Sequence, residues 1–329
     1  MADAIQGQPT RARVLAAYAT VYVVWGSTYL AIRYAIATLP PFLMAATRFL
    51  IAGLLLLAWA RLRGGAWPTR RQWRNAAIVG AFLLFGGNGA VVWAEQRVPS
   101  GVTALLVATL PLWMVALEWL GPDRRRPTGR GLLGVLLGIV GIVVLVGPGA
   151  ITGNGNVDLV GAGVLVLASL VWGIGSLFSK HADMPDSPQM NSALQMVAGG
   201  ALLVPMGLAT GEAGHLALGA VSTASLVGLG YLVVFGSLLA FTAFAWLLRV
   251  EPPSRVATYA YVNPMVAVLL GWAIAGEALT WSTIAAAGVI VGAVVLIVSQ
   301  RKAPAAGATD GTSPAADAAN GRGRGVRAA

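Results

Sequence analysis

The chain has 329 residues, of which 57% are hydrophobic and only 10% charged, with 42 glycines and a formal net charge of +10. Soluble domains carry about 25% charged residues, so the composition excludes an ordinary soluble domain and points to an all-α membrane protein with many spans. The basic residues fall in short loops and tails between apolar runs, which argues against a nucleic-acid partner, and the absence of cysteine excludes disulfides, thiolate metal sites and cysteine nucleophiles.

Residues 1–13 read as a polar N-terminal tail. Apolar runs of about 20 residues, enough to cross a bilayer, then predict spans over 14–38, 41–62, 73–96, 99–120 and 128–147. A glycine-rich loop covers 148–156, and a second set of spans follows over 157–181, 188–209, 222–249, 253–275 and 280–299. Residues 300–329 lack apolar periodicity and read as a disordered tail. Ala35-Ile36-Ala37 looks like a leader cleavage site, but the run before it is long, contains Arg33 and recurs later in the chain.

That recurrence has a constant offset of 147. Trp25-Gly26 becomes Trp172-Gly173, Arg33 becomes Lys180, Pro41 becomes Pro188 and Arg48 becomes Gln195. The spacing therefore predicts ten transmembrane helices in two five-helix repeats, 14–147 and 157–299. An odd number of spans per repeat turns the second copy upside down. The arginines before the first span, between the second and third, between the fourth and fifth, and around Arg249 and Arg255 fall on one side if both termini are cytoplasmic.

Several polar residues stand inside these apolar runs. Trp25, Tyr29 and Arg33 share one face of the first helix at i, i+4 and i+8, and Trp172 and Ser176 share the matching face of the sixth. Arg33 and Arg48 each lie seven residues from the Pro40-Pro41 turn, about 10 Å into the membrane. Charge there is costly, so a carboxylate partner is expected, and Glu95 is nearest by depth, with Asn88 on its face. The alternatives at this point are an internal ion pair and a clamp for a substrate carboxylate. Pro111 and Pro264 each follow an earlier proline by twelve residues, at Pro99 and Pro252. They predict kinks at equivalent places in the two repeats, near Thr109 and near Tyr259, Tyr261 and Asn263. Gly134-x3-Gly138 and Gly288-x3-Gly292 read as helix-packing motifs. His181 and His215 belong to no catalytic or metal-ligand pattern, so no enzyme activity, cofactor or metal site is expected.

Together, Trp25-Gly26-Ser27-Thr28-Tyr29, Pro40-Pro41 with Arg48-Phe49, Gly87-Asn88-Gly89 with Ala94-Glu95, Pro99-Ser100-Gly101, Tyr259-Ala260-Tyr261-Val262-Asn263-Pro264 and Gly276-Glu277 resemble the EamA family of the drug/metabolite transporter superfamily. The resemblance covers roughly residues 14–300 and implies two inverted EamA repeats around a central cavity. It also implies export of amino acids or other small metabolites across a bacterial inner membrane, by a monomer or weak homo-oligomer. A substrate site would then draw on Trp25, Tyr29, Arg33, Arg48, Asn88, Glu95, Trp172, Ser176, Tyr259 and Asn263. The rivals are an organic-cation exporter and a non-transporting receptor or scaffold. The small multidrug transporters of the same superfamily carry a coupling carboxylate in their first helix, which this chain lacks, so uniport or weak exchange is expected.

Overall fold

The structure, a computed structural model, describes residues 10–120, 129–146, 157–251, 256 and 259–299. The arginines at 124–126, the inter-repeat loop, Pro252, Arg255 and the C-terminal tail lie outside the described residues, as do the side chains of Glu118, Lys180, Arg249 and Tyr261.

The first repeat contains helices α1 (Arg11–Ala35), α2 (Pro41–Leu62), α3 (Arg70–Ala94), α4, in two segments Ser100–Val107 and Leu110–Leu120, and α5 (Gly129–Val146). The second contains α6 (Leu159–His181), α7 (Pro188–Ala209), α8, running from Thr223 to Val250, α9 (Tyr259–Ala275) and α10 (Trp281–Ser299). Among the described residues seven of these, α1 to α4 and α6 to α8, hold stretches long and apolar enough to cross a membrane. Helices α5, α9 and α10 contribute the shorter apolar stretches Gly129–Gly141, Val262–Ala275 and Trp281–Ala293.

The helix starts follow from local chemistry. Four N–H groups at each start need partners from outside the helix. Thr69 and Gln72 form a reciprocal capping box at α3, and the Asp158 carboxylate accepts from Gly161 N–H at 2.6 Å at α6. Pro41 and Pro188 begin α2 and α7, where the missing N–H costs nothing. At α2 the next two N–H groups, of Phe42 and Leu43, donate to the Glu212 carboxylate at 3.0 and 2.8 Å. Glu212 begins a one-turn helix, Glu212–His215, that hydropathy alone does not reveal.

Packing exchanges the two repeats. Helix α2 lies against α7 and α5 against α10, while α1 packs on α8 and α9 as α6 packs on α3 and α4. Glycines set the closest approaches: a Cβ on Gly53 would come within 2.9 Å of Met196, one on Gly200 within 3.0 Å of Leu50, and one on Gly207 within 2.8 Å of Leu43. Residue numbers rise along α2 as they fall along α7, so these equivalent helices are antiparallel. The glycine pattern in α5 and α10 corrects the sequence reading. Gly138 abuts Leu112 and Gly141 abuts Ile290, whereas Gly288 and Gly292 face open space because α10 presents Ile290, one helical face away, to α5.

Two departures from regular α geometry also come in a pair. Residues Ala81–Asn88 of α3 and Leu232–Leu239 of α8 are π-helical. Each contains a Phe-Gly-small triplet, Phe85-Gly86-Gly87 and Phe235-Gly236-Ser237. The wider turn leaves backbone carbonyls open to other donors, a feature common at functional sites.

Candidate functional site

The end of the π segment in α3 and the break in α4 border a central cavity of about 890 Å³ of atom-free space, its mouth included, while the π segment of α8 lies behind Trp25 and Arg48. The cavity walls come from α1, α2, α3, α4, α6, α8 and α9. Of the residues singled out in the sequence, Trp25, Tyr29, Arg48, Asn88, Trp172, Tyr259, Asn263 and Pro264 line it. Each repeat's tryptophan leans on the π segment of the other. Trp25 Nε1 donates to the Gly236 carbonyl at 3.2 Å, and Trp172 lies so close to Gly87 that a Cβ there would sit 2.8 Å from its ring. The Trp25 ring also packs edge-on to Tyr259 and Phe241, with centroids 5.3 and 5.4 Å apart.

Arg48 is 3% exposed. Its Nε donates to Ser237 Oγ at 2.9 Å, its guanidinium lies 4.8 Å from the Phe49 ring, and its Nη1 has no hydrogen-bond partner among the described residues. The equivalent Gln195 turns instead to Asn191, donating to its Oδ1 at 2.7 Å. The cavity therefore has one cationic corner where two-fold symmetry would have placed two polar ones. No acidic side chain lines it among the described residues. The Asn88 side-chain oxygen is buried and unpartnered among the described residues, leaving one free acceptor on α3 of the same repeat.

The two interior prolines differ in their effect on the helix: α4 breaks next to Pro111, and α9 stays helical through Pro264. Pro111 has no N–H for the Val107 carbonyl four residues back. Helix α4 breaks between its two segments there, and Ser169 Oγ from α6 donates to that carbonyl at 3.3 Å. Thr109 Oγ1 donates to Leu106 O at 2.6 Å within the break. In α9 the Asn263 amide, oriented as its neighbours require, donates to the carbonyls of Tyr259 and Tyr22 at 3.3 and 3.1 Å.

Three sequence candidates lie elsewhere. Ser176 Oγ donates to the Trp172 carbonyl at 2.8 Å on its own helix and is not part of the wall. Arg33 does not share Arg48's position. Its side chain is 41% exposed and pairs with Glu277, so Glu277 replaces Glu95 as its partner. The reason is tertiary: the loop before α10 folds over the start of α4, where Glu277 also accepts from Ser100 N–H at 2.8 Å, Ser100 Oγ at 2.7 Å and Gly101 N–H at 3.0 Å. Burial pushes the Glu277 carboxyl up, but these hydrogen bonds and Arg33 together hold it below the usual carboxylate range. Glu95 is 7% exposed, beyond the cavity end of α3, with neither oxygen hydrogen-bonded among the described residues. Ser169, Gly236 and Ser237 were not singled out. The repeated Phe-Gly-small triplet is the sequence signal that marks the last two.

The model of the EamA-like transporter family matches residues 13–147 and 159–299. The chain is 40% identical over 278 residues to the uncharacterized inner membrane transporter YedA of Escherichia coli (strain K12), covering 84% of this chain and 88% of that one. It is 26% identical to the uncharacterized transporter YvbV of Bacillus subtilis (strain 168), covering 91% and 95% of the two chains, and 26% identical to protein PecM of Dickeya dadantii (strain 3937), covering 83% and 88%. A protein of known crystal structure shares the fold with a TM-score of 0.60 at 20% identity, covering 88% of this chain and 99% of that one. Two matched repeats, a long relative at this identity and a helical fold built around a cavity agree: the chain belongs to the EamA-like transporter family.

Proposed function

We propose that the protein is a secondary transporter of the bacterial inner membrane, not an enzyme, with ten transmembrane helices in two inverted repeats and both termini cytoplasmic. It moves small metabolites by alternating access, most simply zwitterionic amino acids with neutral or aromatic side chains. Export, as opposed to uptake, rests on the family resemblance. The antiparallel α2 and α7 and the exchange of partners between repeats support the inverted plan.

The observation that carries the substrate class is the cavity's single buried guanidinium, Arg48, set among Trp25, Tyr29, Trp172 and Tyr259 without an acidic neighbour in the wall. A carboxylate would meet Arg48 Nη1, an ammonium the Asn88 oxygen, and an apolar side chain the aromatic faces. Aromatic walls also favour organic cations, but a cation would enter beside Arg48 and meet like charge.

Flux of labelled neutral and aromatic amino acids, in parallel with a labelled organic cation, into sealed proteoliposomes tests this. Saturable amino-acid flux that falls at least tenfold in Asn263→Ala and Tyr259→Ala, both still folded, is expected. Cation flux alone would establish the drug-pump reading, and binding without flux a receptor.

A further inference from the structure

Glu95 sits where a carboxyl group needs an explanation. It follows Asn88 by seven residues and Val91 by four, and both of those line the cavity, so it continues their face of α3 one turn beyond the wall. It is 7% exposed, and both carboxyl oxygens lack hydrogen-bond partners among the described residues. On α4, Thr103 Oγ1 is fully buried and likewise unpartnered. An ionised carboxylate so placed would bear a large desolvation cost unless a cation answered it.

The charged and titratable groups around it come from three other elements: Tyr29 and Arg33 on α1, Arg48 on α2 and Glu277 before α10. Arg33 and Glu277 are already joined to each other and to the start of α4. Asp158, at the start of α6 against the end of α3, is turned to its own helix. The cation left to answer Glu95 is Arg48, whose Nη1 is free and which also faces the cavity.

We propose that Glu95 is a proton-binding site linked to the cavity through Arg48: it takes up one proton when an anionic substrate group occupies Arg48, and releases it when that group leaves. The step moves one proton between water and a carboxylate oxygen and changes no other bond. Because linkage is reciprocal, acidification tightens binding of a carboxylate substrate, and substrate binding draws a proton in. Proton and substrate then move together, so export runs down the substrate's own gradient and against an inward proton gradient, in place of the uniport or weak exchange expected from the lack of an acid in α1. The proton site stands on Glu95's own geometry, while its link to substrate rests on the transport reading above.

Infrared titration of the purified full chain in lipid nanodiscs, with no substrate present, tests the site separately from the transport reading. Wild type should lose carboxylate signal and gain a protonated-carboxyl band as pH falls through the range just below neutral, well above that of exposed glutamates, and that band should be lost in Glu95→Gln. Glu95→Asp, which keeps the carboxyl if the glutamine variant misfolds, should retain the band with a displaced midpoint. A spectrum in which Glu95→Gln removes only carboxylate signal all the way down to the pH at which exposed glutamates titrate, or changes nothing, overturns the proposal. With L-phenylalanine as probe, wild-type nanodiscs should take up protons from weakly buffered medium and Glu95→Gln should not. Equal uptake by both overturns the linkage, and a band without phenylalanine-dependent uptake confines the proposal's failure to that link.

Discussion

Trp25 does two things that one substitution separates. Its ring packs against Tyr259, Phe241 and Phe244, and its Nε1 donates to the Gly236 carbonyl within the π segment of α8. Trp25→Phe keeps an aromatic body and removes the donor. It should cost about 1 kcal/mol, read as a lower Tm of the purified protein, and an unchanged Tm would mean that this carbonyl finds another donor. Glu277 makes a pH prediction with a definite sign. Its carboxyl is held below its ordinary value of 4.5, so its contribution to stability is complete above that pH and is lost as pH falls through the lower folded value. The acid limb of a stability profile should lose this step in Glu277→Gln, which cannot titrate; an identical limb in the variant would count against the role given to this carboxylate.

At the scale of elements, glycine separates contacts that matter from those that do not. A Cβ on Gly80 of α3 would lie 2.5 Å from the Gln195 carbonyl and 3.1 Å from Gly199 N of α7, backbone that cannot rotate away. Gly80→Ala should therefore destabilise by about 1–3 kcal/mol. Gly163 on α6 has nothing within 4 Å, and Gly163→Ala should be neutral or stabilising by up to about 1 kcal/mol. Thermal unfolding of the two variants side by side checks the contrast. The same scale shows what the sequence made legible. Proline at 41, 111 and 188 announced two helix starts and one broken helix, because a missing N–H acts locally, whereas α9 stays helical through Pro264. The π segments were not announced, since an eight-residue, mostly apolar run with one or two glycines fits α and π geometry equally well until Trp172 and Trp25 press against it.

At the scale of the whole molecule, Arg33, Glu277 and the start of α4 tie three distant parts of the chain together at one end of the helix bundle. If alternating access works by rocking one repeat or bundle against the other, this tie must part in each cycle. The chain has no native cysteine, so Arg33→Cys with Glu277→Cys, joined by a short reversible thiol cross-linker, gives a clean test. Flux should fall to near background on cross-linking and return on reduction. Undiminished flux in the cross-linked protein would show that this end does not open.

The sequence by itself determined the membrane class, the two-fold repeat, most helix limits and the inward face of Trp25 and Tyr29 on α1, though not the fate of Arg33 on the same face, because apolar length, proline chemistry and helical periodicity are local properties. The tertiary structure alone decided which charges meet. Arg33 and Arg48 look equivalent from the Pro40-Pro41 turn, yet one reaches Glu277 near the surface and the other is sealed beside Ser237. Glu277 is 244 residues from Arg33 in sequence, and depth in a span says nothing about azimuth around a helix or about which loop will fold over it. That choice belongs to packing, where the partner that satisfies most buried donors at once prevails.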